Sequence, residues 1–427
     1  MNEQDSHKYW VINKKAYDLT GFLNKHPGGK YILELNKGRD CTEMFYSYHM
    51  ASKLNIETFE NMLKDYYVRD AYPDEITTNF NWDSPKLYLE FKKRVNNYFT
   101  YQSIKANTYA WTIYGIMMVL SLISTYLWIQ GYWISLLLIP FCGAYLSSSI
   151  LHDATHYSVV KNPKWNERLS YLGLYHCLPL TWYHQHVIGH HTQTNIQGMD
   201  PDLEHFRVNQ MKFGWRTNLK QPHQSYYLKW RNYFPIFAIM ASYGPIIYRS
   251  IDCLIRGTYL NRVKFQFTSK KEVVEFLLEL SLFIIGPWFM ISRYGLIKGF
   301  VFIAIPRFIH GVGYYLASQV SHIQEDAFKY INDKTVNPNN EWIVHQICTS
   351  VDYNTDSLFW SFISVGLNNQ AIHHVCPTVH PCHYPELNRV LMKFCLDYNI
   401  PYQNKGSYFN MIKDHLNYIA KINDSDT

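Results

Sequence analysis

The residues most able to do chemistry in this chain are histidines. His152-Asp153-Ala154-Thr155-His156 places two imidazoles at i and i+4, on one face of a helix. In His186-Val187-Ile188-Gly189-His190-His191, His186 and His190 share a face and His191 points partly aside. In Gln370-Ala371-Ile372-His373-His374, Gln370 lies on the face shared by the histidine pair. His322 stands apart, in Gln319-Val320-Ser321-His322. Neutral imidazole suits iron, zinc and copper. So many candidate ligands exceed one zinc site, which takes three or four, and two metals are the natural count. No Glu-x-x-His motif occurs, so the carboxylate di-iron arrangement of helical bundles is absent. A single i,i+4 pair reads as an ordinary helix surface. Three clusters, each at the border of a long apolar block, read as a metal centre.

A second pair suits a different cofactor. His26 precedes Pro27-Gly28-Gly29, and His49 follows near the end of a helical stretch. Histidines on two separate elements can fill both axial positions of a haem. Such a haem has no open position for oxygen and carries electrons. Taken alone, His26 would read as a surface residue; the glycines beside it allow the backbone to approach a macrocycle closely.

Elements must hold these groups in place. Residues 1–72 read as a small soluble α+β unit: strands in Tyr9–Leu19 with a turn at Asn13-Lys14-Lys15, then helices at Lys30–Asn36 and Thr42–His49. Residues 73–105 read as a polar linker ending in an amphipathic helix, Leu87–Phe99, at the membrane surface. Asn107–Ile129 and Tyr132–Leu151 are uncharged, and each is long enough to cross a bilayer core of about 30 Å. Phe276–Ser292 and Leu296–Ala317 form a second hairpin despite Glu279, Lys298, Arg307 and His310, which should face the protein interior. A fifth block, Tyr233–Tyr248, contains Pro235 and Pro245 and precedes a run of basic residues. Spanning would send those charges across the membrane, so it reads as interfacial or re-entrant. Four spans return the chain to its starting side.

Composition fits this division. The chain has 427 residues, 17% of them aromatic, and a formal charge of +6 with the basic residues dispersed. That balance fits anionic headgroups better than nucleic acid, which is not expected as a partner. Eight cysteines without CxxC spacing read as reduced thiols. The N-terminus has no apolar stretch of signal-peptide type and is expected in the cytosol.

Two stretches carry resemblances. WVINKKAYDLTGFLNKHPGGKYIL and GRDCTEMFYSYH resemble cytochrome b5. HDATHYSVVKNP, QHVIGHHTQTNIQGMDPDL and GLNNQAIHHVCPTVHPCHYPEL resemble the three histidine boxes of membrane fatty-acyl desaturases. They are most similar to the cytochrome b5-fused front-end type, delta-5 enzymes of fungi and protists above all. The first resemblance implies haem b with His26 and His49 as axial ligands. The second implies two iron ions held by His152, His156, His186, His190, His191, His322, His373 and His374. Gln370, which replaces the first histidine of the third box, is a possible ligand or tuning group. The second box has one spacer residue more than many relatives, which leaves His184 as an alternative to His186. Asp153, Asn195, Asp200 and Asp202 are candidates to hold the second nitrogen of ligand imidazoles. His176, His205, His223, His310, His345, His380 and His383 read as surface or supporting groups.

The resemblance therefore implies an α+β haem domain (1–72), a linker and surface helix (73–105), and a tail (401–427). Between the last two lies an all-α membrane desaturase domain (106–400) with four transmembrane helices and a cytosolic helical cap. It implies an endoplasmic reticulum membrane protein with both termini cytosolic. The implied reaction is oxygen-dependent insertion of a cis double bond between an existing double bond and the carboxyl end of a polyunsaturated acyl chain. Carbon 5 is favoured over carbon 6, the acyl carrier is a phospholipid or coenzyme A, and O₂ is the co-substrate. Electrons come from NADH through cytochrome b5 reductase and the fused haem. The alternatives are a b5-fused sphingolipid desaturase or lipid hydroxylase, and a non-enzymatic membrane haem carrier.

Overall fold

The computed structural model describes residues 8–52, 56–99, 104–173, 175–204, 243–331 and 333–424. At the N-terminal end, Asn13 and Lys14 both take positive φ (49° and 64°). This two-residue turn has the twist that antiparallel strands need. It pairs β1 (Trp10–Ile12) with β2 (Lys15–Tyr17), Ile12 opposite Lys15. β3 (Tyr67–Asp70) returns to the other edge of β2. Against this sheet pack Trp10, Ile12, Tyr17, Leu19, Cys41 and Leu63. Helices α1 (Lys30–Leu35), α2 (Thr42–Tyr48) and α3 (Ile56–Leu63) complete the unit. The helices at 30 and 42 thus form where the sequence places them.

The connecting segment is more than a linker. Trp82 stacks on Tyr46 at 4.1 Å and 4°. Helix α4 (Lys86–Tyr98) buries Tyr88, Phe91 and Val95. Tyr88 donates its hydroxyl to the Tyr46 carbonyl at 2.9 Å, and Phe91 lies 5.0 Å from Phe394. The apolar face expected to meet the membrane surface is covered by protein on both sides. An amphipathic pattern shows that one face is buried but not what buries it.

Among the described residues, four helical segments are long and apolar enough to cross a membrane: α5 (Thr108–Ile129), α6 (Ser135–Thr155), α10 (Lys270–Tyr294), and α11 (Leu296–Ser318) with a further turn to Ser321. Their apolar windows are 11%, 72%, 22% and 17% buried, so α6 is the interior span and the others face outward. Small residues Ser147–Ser149 let neighbours approach α6 closely. Pro140 sits in a π-helical stretch, Ile139–Ala144, that accommodates its missing N–H. At the far end, Gly131 has φ 72°, and a Cβ there would lie 2.7 Å from the Tyr294 ring. Tyr294 donates to the Ile129 carbonyl at 2.6 Å, so the two hairpin turns lie side by side. Of the ionisable residues in the second hairpin, Glu279 is buried and Lys298 sits over the rings of Trp133, Tyr294 and Phe302. The fifth apolar block lies outside the described residues up to position 242. Its end belongs to α9, described over Tyr243–Arg256.

The cap over one end of the spans is helical: α7 (Pro163–Ser170), α8 (residues 179–193), α12 (Trp342–Cys348), α13 (Gln370–Val375) and α14 (Tyr384–Asp397). Trp342, Ile347, Ile372, Leu387 and Phe394 form its core, joined by Tyr88 and Phe91. The stretch expected as a tail is structured: α15 (Tyr408–Asp424) buries His415, bonded at 2.8 Å to the Tyr315 hydroxyl. All eight cysteines are free thiols.

Candidate haem and metal centres

Pro27-Gly28-Gly29 ends the loop before α1, and α2 ends at Tyr48, so both elements stop at a histidine or a short turn from one. The rings of His26 and His49 lie with centroids 6.3 Å apart and their planes at 61°. His26 Nδ1 lies 2.8 Å from the Gly29 carbonyl and His49 Nδ1 2.7 Å from the Phe45 carbonyl. Each carbonyl keeps the proton on Nδ1 and leaves an Nε2 lone pair for iron. Burial lowers the His26 pKa and brings His49 down to about 4, so both rings are neutral donors. Phe22, Phe45 and Phe59 flank the pair at 4.7–5.8 Å. Two neutral imidazoles in an apolar slot fit a bis-histidine haem.

The other eight histidines converge in one buried space. His152, His156, His186 and His373 form one group, and His190, His322 and His374 a second. His191 stands between them, grouped with His373 and His374. Nε2 atoms approach at 3.1 Å for His152–His373, 3.2 Å for His186–His191 and 3.1 Å for His322–His374. Two nitrogens bound at about 2.1 Å and at right angles on one ion sit about 3.0 Å apart. The spacing is that of cis ligands.

Six of these rings are fixed through their other nitrogen. His152 Nδ1 meets Asp153 at 3.0 Å and His190 Nδ1 meets Asp200 at 3.0 Å. His156 Nδ1 meets the Tyr48 hydroxyl at 3.0 Å, and His373 Nδ1 the Tyr384 hydroxyl at 3.0 Å. His374 Nδ1 meets Thr194 Oγ1 at 3.1 Å, and His322 Nδ1 the Thr349 carbonyl at 3.3 Å. Where the partner is a carboxylate or carbonyl, the proton stays on Nδ1 and an Nε2 lone pair turns inward. His156 Nε2 is buried without a hydrogen-bond partner. Facing lone pairs and an orphaned buried nitrogen are what a cation resolves. Burial, with repulsion between neighbouring imidazoles, holds His156, His186, His191, His373 and His374 well below the usual histidine range. Burial would lower His190 too, but Asp200 and Asp202 outweigh it and raise it to about 9. The residues fit a pair of metal ions.

In the second box His186 and His190 stay neighbours, their rings stacked with centroids 5.5 Å apart. The departure is His191: Tyr183–His190 is π-helical, which brings i+5 onto the same face, and His191 Nε2 meets His186 Nε2. His190 also lies beside His322 and His374, with ring centroids 4.8 and 4.9 Å away. His184 points away, its Nδ1 on the Leu180 carbonyl at 2.9 Å and its ring against Phe265. Asp153 and Asp200 lie on imidazole nitrogens, and Asp202 stands 3.8 Å from His190 Nδ1. Among the described residues Asn195 bonds no ring nitrogen. Its amide donates to the carbonyls of His322 and Thr349 at 3.1 Å, and its backbone N–H donates to Asp200. Gln370 Nε2 lies 2.8 Å from His322 Nε2 and 3.1 Å from His374 Nε2, with Oε1 buried and unpartnered.

Of the histidines read as surface or supporting groups, His345 and His380 are buried, on the Thr194 carbonyl at 2.7 Å and the Tyr114 hydroxyl at 3.0 Å. His176 and His310 bond each other at 2.9 Å, and His383 meets the Lys105 carbonyl at 2.8 Å. His205 and His223 lie outside the described residues. Sequence reading missed Tyr48, Thr194, Thr349 and Tyr384. Thr194 follows His190 at i+4, the one signal among them.

A haem-type fold joined to a membrane-spanning helical unit with a histidine metal centre defines the class. The fatty acid desaturase family model matches residues 127–406 and the cytochrome b5-like heme/steroid binding domain matches residues 1–71. The chain belongs to the fatty acid desaturase family and is an oxidoreductase with an N-terminal cytochrome b5 domain. It is 29% identical to a probable delta(5) fatty acid desaturase C of Dictyostelium discoideum, over 98% of this chain and 92% of that one. Identity to an acyl-lipid (8-3)-desaturase of Mortierella alpina is 27%, over 97% and 93%. A delta(8)-fatty-acid desaturase 2 of Arabidopsis thaliana is 24% identical, over 92% and 86%. No solved structure matches the chain.

Proposed function

We propose that the chain is an oxygen-dependent front-end desaturase. It inserts a cis double bond, at carbon 5 in preference to carbon 6, on the carboxyl side of an existing double bond. The acyl chain is polyunsaturated, eighteen or twenty carbons long, and carried on phospholipid or coenzyme A. The observation that carries this reading is the convergence of eight histidines from three boxes and an outlier in one buried space. Delta(5) names among the relatives support the regiochemistry.

An unactivated methylene has no acidity for a base to use, so its oxidation needs iron and O₂; His152, His156, His186, His190, His191, His322, His373 and His374 would hold the iron, and O₂ would enter as co-substrate. The chain's part is to hold those rings. Asp153, Asp200, Tyr48, Tyr384 and Thr194 fix ring orientation before substrate arrives. Burial excludes water from the centre. His26 and His49 hold the haem that passes on electrons from NADH through a cytochrome b5 reductase. Residues 1–72 are the haem domain and 106–400 the desaturase domain, in the endoplasmic reticulum membrane. Expression in a host lacking the product, fed candidate acids, tests the reading by locating the new double bond with mass spectrometry. A hydroxylated product or a modified sphingoid base would replace it with a hydroxylase or sphingolipid reading.

Both termini and the metal centre face the cytosol in this account. A glycosylation acceptor tag inserted beside Arg262 stays unmodified. Modification there means an odd number of spans before it and breaks the topology.

Gln370 supports the second group of histidines through its side-chain amide. A half-turn of that amide exchanges N and O without changing shape and puts the carbonyl oxygen beside His322 and His374 Nε2. Gln370→Ile and Gln370→Asn are expected to lower product per bound iron by about tenfold or more, a second-sphere-sized loss, with iron and haem retained. Gln370→His is expected to keep iron and to lower turnover, because an imidazole there would add a strong ligand donor beside His322 and His374. Wild-type product per iron in Gln370→Ile would show that the amide only packs.

A further inference from the structure

We propose that Tyr48 is the electron-transfer link between the haem and the metal centre. This rests on the reading above, in which His49 ligates haem and His156 ligates iron. Tyr48 is joined to His49 by one peptide bond. Its hydroxyl oxygen lies 3.0 Å from His156 Nδ1, and the two rings are 6.2 Å apart. His156 Nε2 is buried, has no hydrogen-bond partner and belongs to the histidine group. With Nε2 bound to metal, the ring proton sits on Nδ1, and His156 donates it to the Tyr48 oxygen. One covalent segment and one hydrogen bond then connect the two ligand imidazoles.

The contact is built rather than incidental. The end of α2, where Tyr48 lies, is clamped from the desaturase side. Tyr88 donates to the Tyr46 carbonyl at 2.9 Å, and Asn96 donates to the Met50 carbonyl at 3.2 Å. The Lys92 ammonium bonds the carbonyl of His49 itself. All three come from α4, whose apolar face is sealed against α14. α4 therefore fixes the haem ligand's backbone and the Tyr48 ring relative to His156, and fusion becomes a permanent docking instead of a tether alone. It also explains why Trp82 and α4 are packed against protein in a stretch read as a polar linker and surface helix.

The step balances simply. One electron leaves the ferrous haem, which becomes ferric, and one ion among the histidines is reduced by one. The Tyr48 O–H and His156 N–H bonds stay intact, so no proton is lost. An NADH-dependent flavoprotein reductase restores the ferrous haem between the two such events that each double bond requires.

The experiment uses the full-length enzyme with haem and iron loaded, as wild type and Tyr48→Phe, which keeps the ring and removes the oxygen. Both are fully reduced with dithionite and mixed with O₂ and acyl substrate in a stopped-flow instrument, and ferrous haem absorbance is followed. The product of the first turnover, which uses pre-reduced iron, is measured for each enzyme as the reference, because Tyr48→Phe also removes the oxygen that orients His156. Relative to that product, haem reoxidation in Tyr48→Phe should slow by about tenfold or more, with the haem midpoint potential unaltered. Reoxidation at the wild-type rate with iron bound overturns the proposal. Should Tyr48→Phe shed iron, the rate is read after refilling with ferrous iron, and a wild-type rate there overturns it equally. Failure of the underlying reading shows up separately: wild-type enzyme itself would then lack haem or iron, or would not reoxidise its haem with substrate.

Discussion

Alanine at His156, His190 or His374 removes the fatty-acid product while leaving the haem spectrum unchanged. Each ring belongs to a different box, and each presents Nε2 to the buried group from an anchored Nδ1: His156 on Tyr48, His190 on Asp200, His374 on Thr194. Removing even an outer partner of a metal-bound histidine costs about 10–100-fold in affinity or activity, so loss of the ligand itself should cost at least about a hundredfold. The cavity left in each case is lined by polar nitrogens with no ligand in place, which the site cannot repack. Haem is unaffected because His26 and His49 take their own anchors from Gly29 and Phe45, inside the N-terminal unit. Absorbance at the haem bands, iron content and product are read on the same sample. Near-full desaturation by any one variant would show that its histidine is not a ligand.

His26→Ala gives the complementary result. One axial ligand is lost, the b-type spectrum disappears, and NADH-driven product falls to background. Iron at the histidine centre remains, because none of its eight rings depends on the HPGG loop. Slower product formation with an added separate cytochrome b5 would be compatible with this, since the metal centre is still in place. Loss of iron along with haem would contradict the independence of the two centres.

The boxes were legible because i,i+4 spacing survives translation into a helix: His152 and His156 share a face as the sequence says. In the second box the His186–His190 neighbourhood was legible, but the place of His191 was not. The π turn pairs His186 with His191 as well, and no local pattern announces a π turn. At Gly189 a Cβ would come within 2.6 Å of Pro201 and 3.0 Å of the His184 carbonyl, so that turn depends on close approach by distant chain. The same holds for the anchors. Asp153 and Asp200 lie near their histidines in sequence, whereas Tyr48 and Tyr384 reach theirs only through tertiary packing. The four spans were readable from apolar length. Which span is interior was not, because α6 owes its burial to the company it keeps. What covers α4 was not readable for a similar reason: Tyr88, Phe91 and Val95 mark a covered face, and the cover is the cap and the haem unit.

The central claim is that one chain holds a haem and, in a separate centre of eight histidines, two iron ions. Iron per haem on the purified full-length protein tests it most directly, with total iron by elemental analysis and haem by its pyridine complex. The account predicts about three irons per haem, one in the macrocycle and two among the histidines, falling to about one in a His156→Ala/His374→Ala double variant. A wild-type value of about one, unchanged by those substitutions, would contradict it and leave a haem carrier without a metal centre.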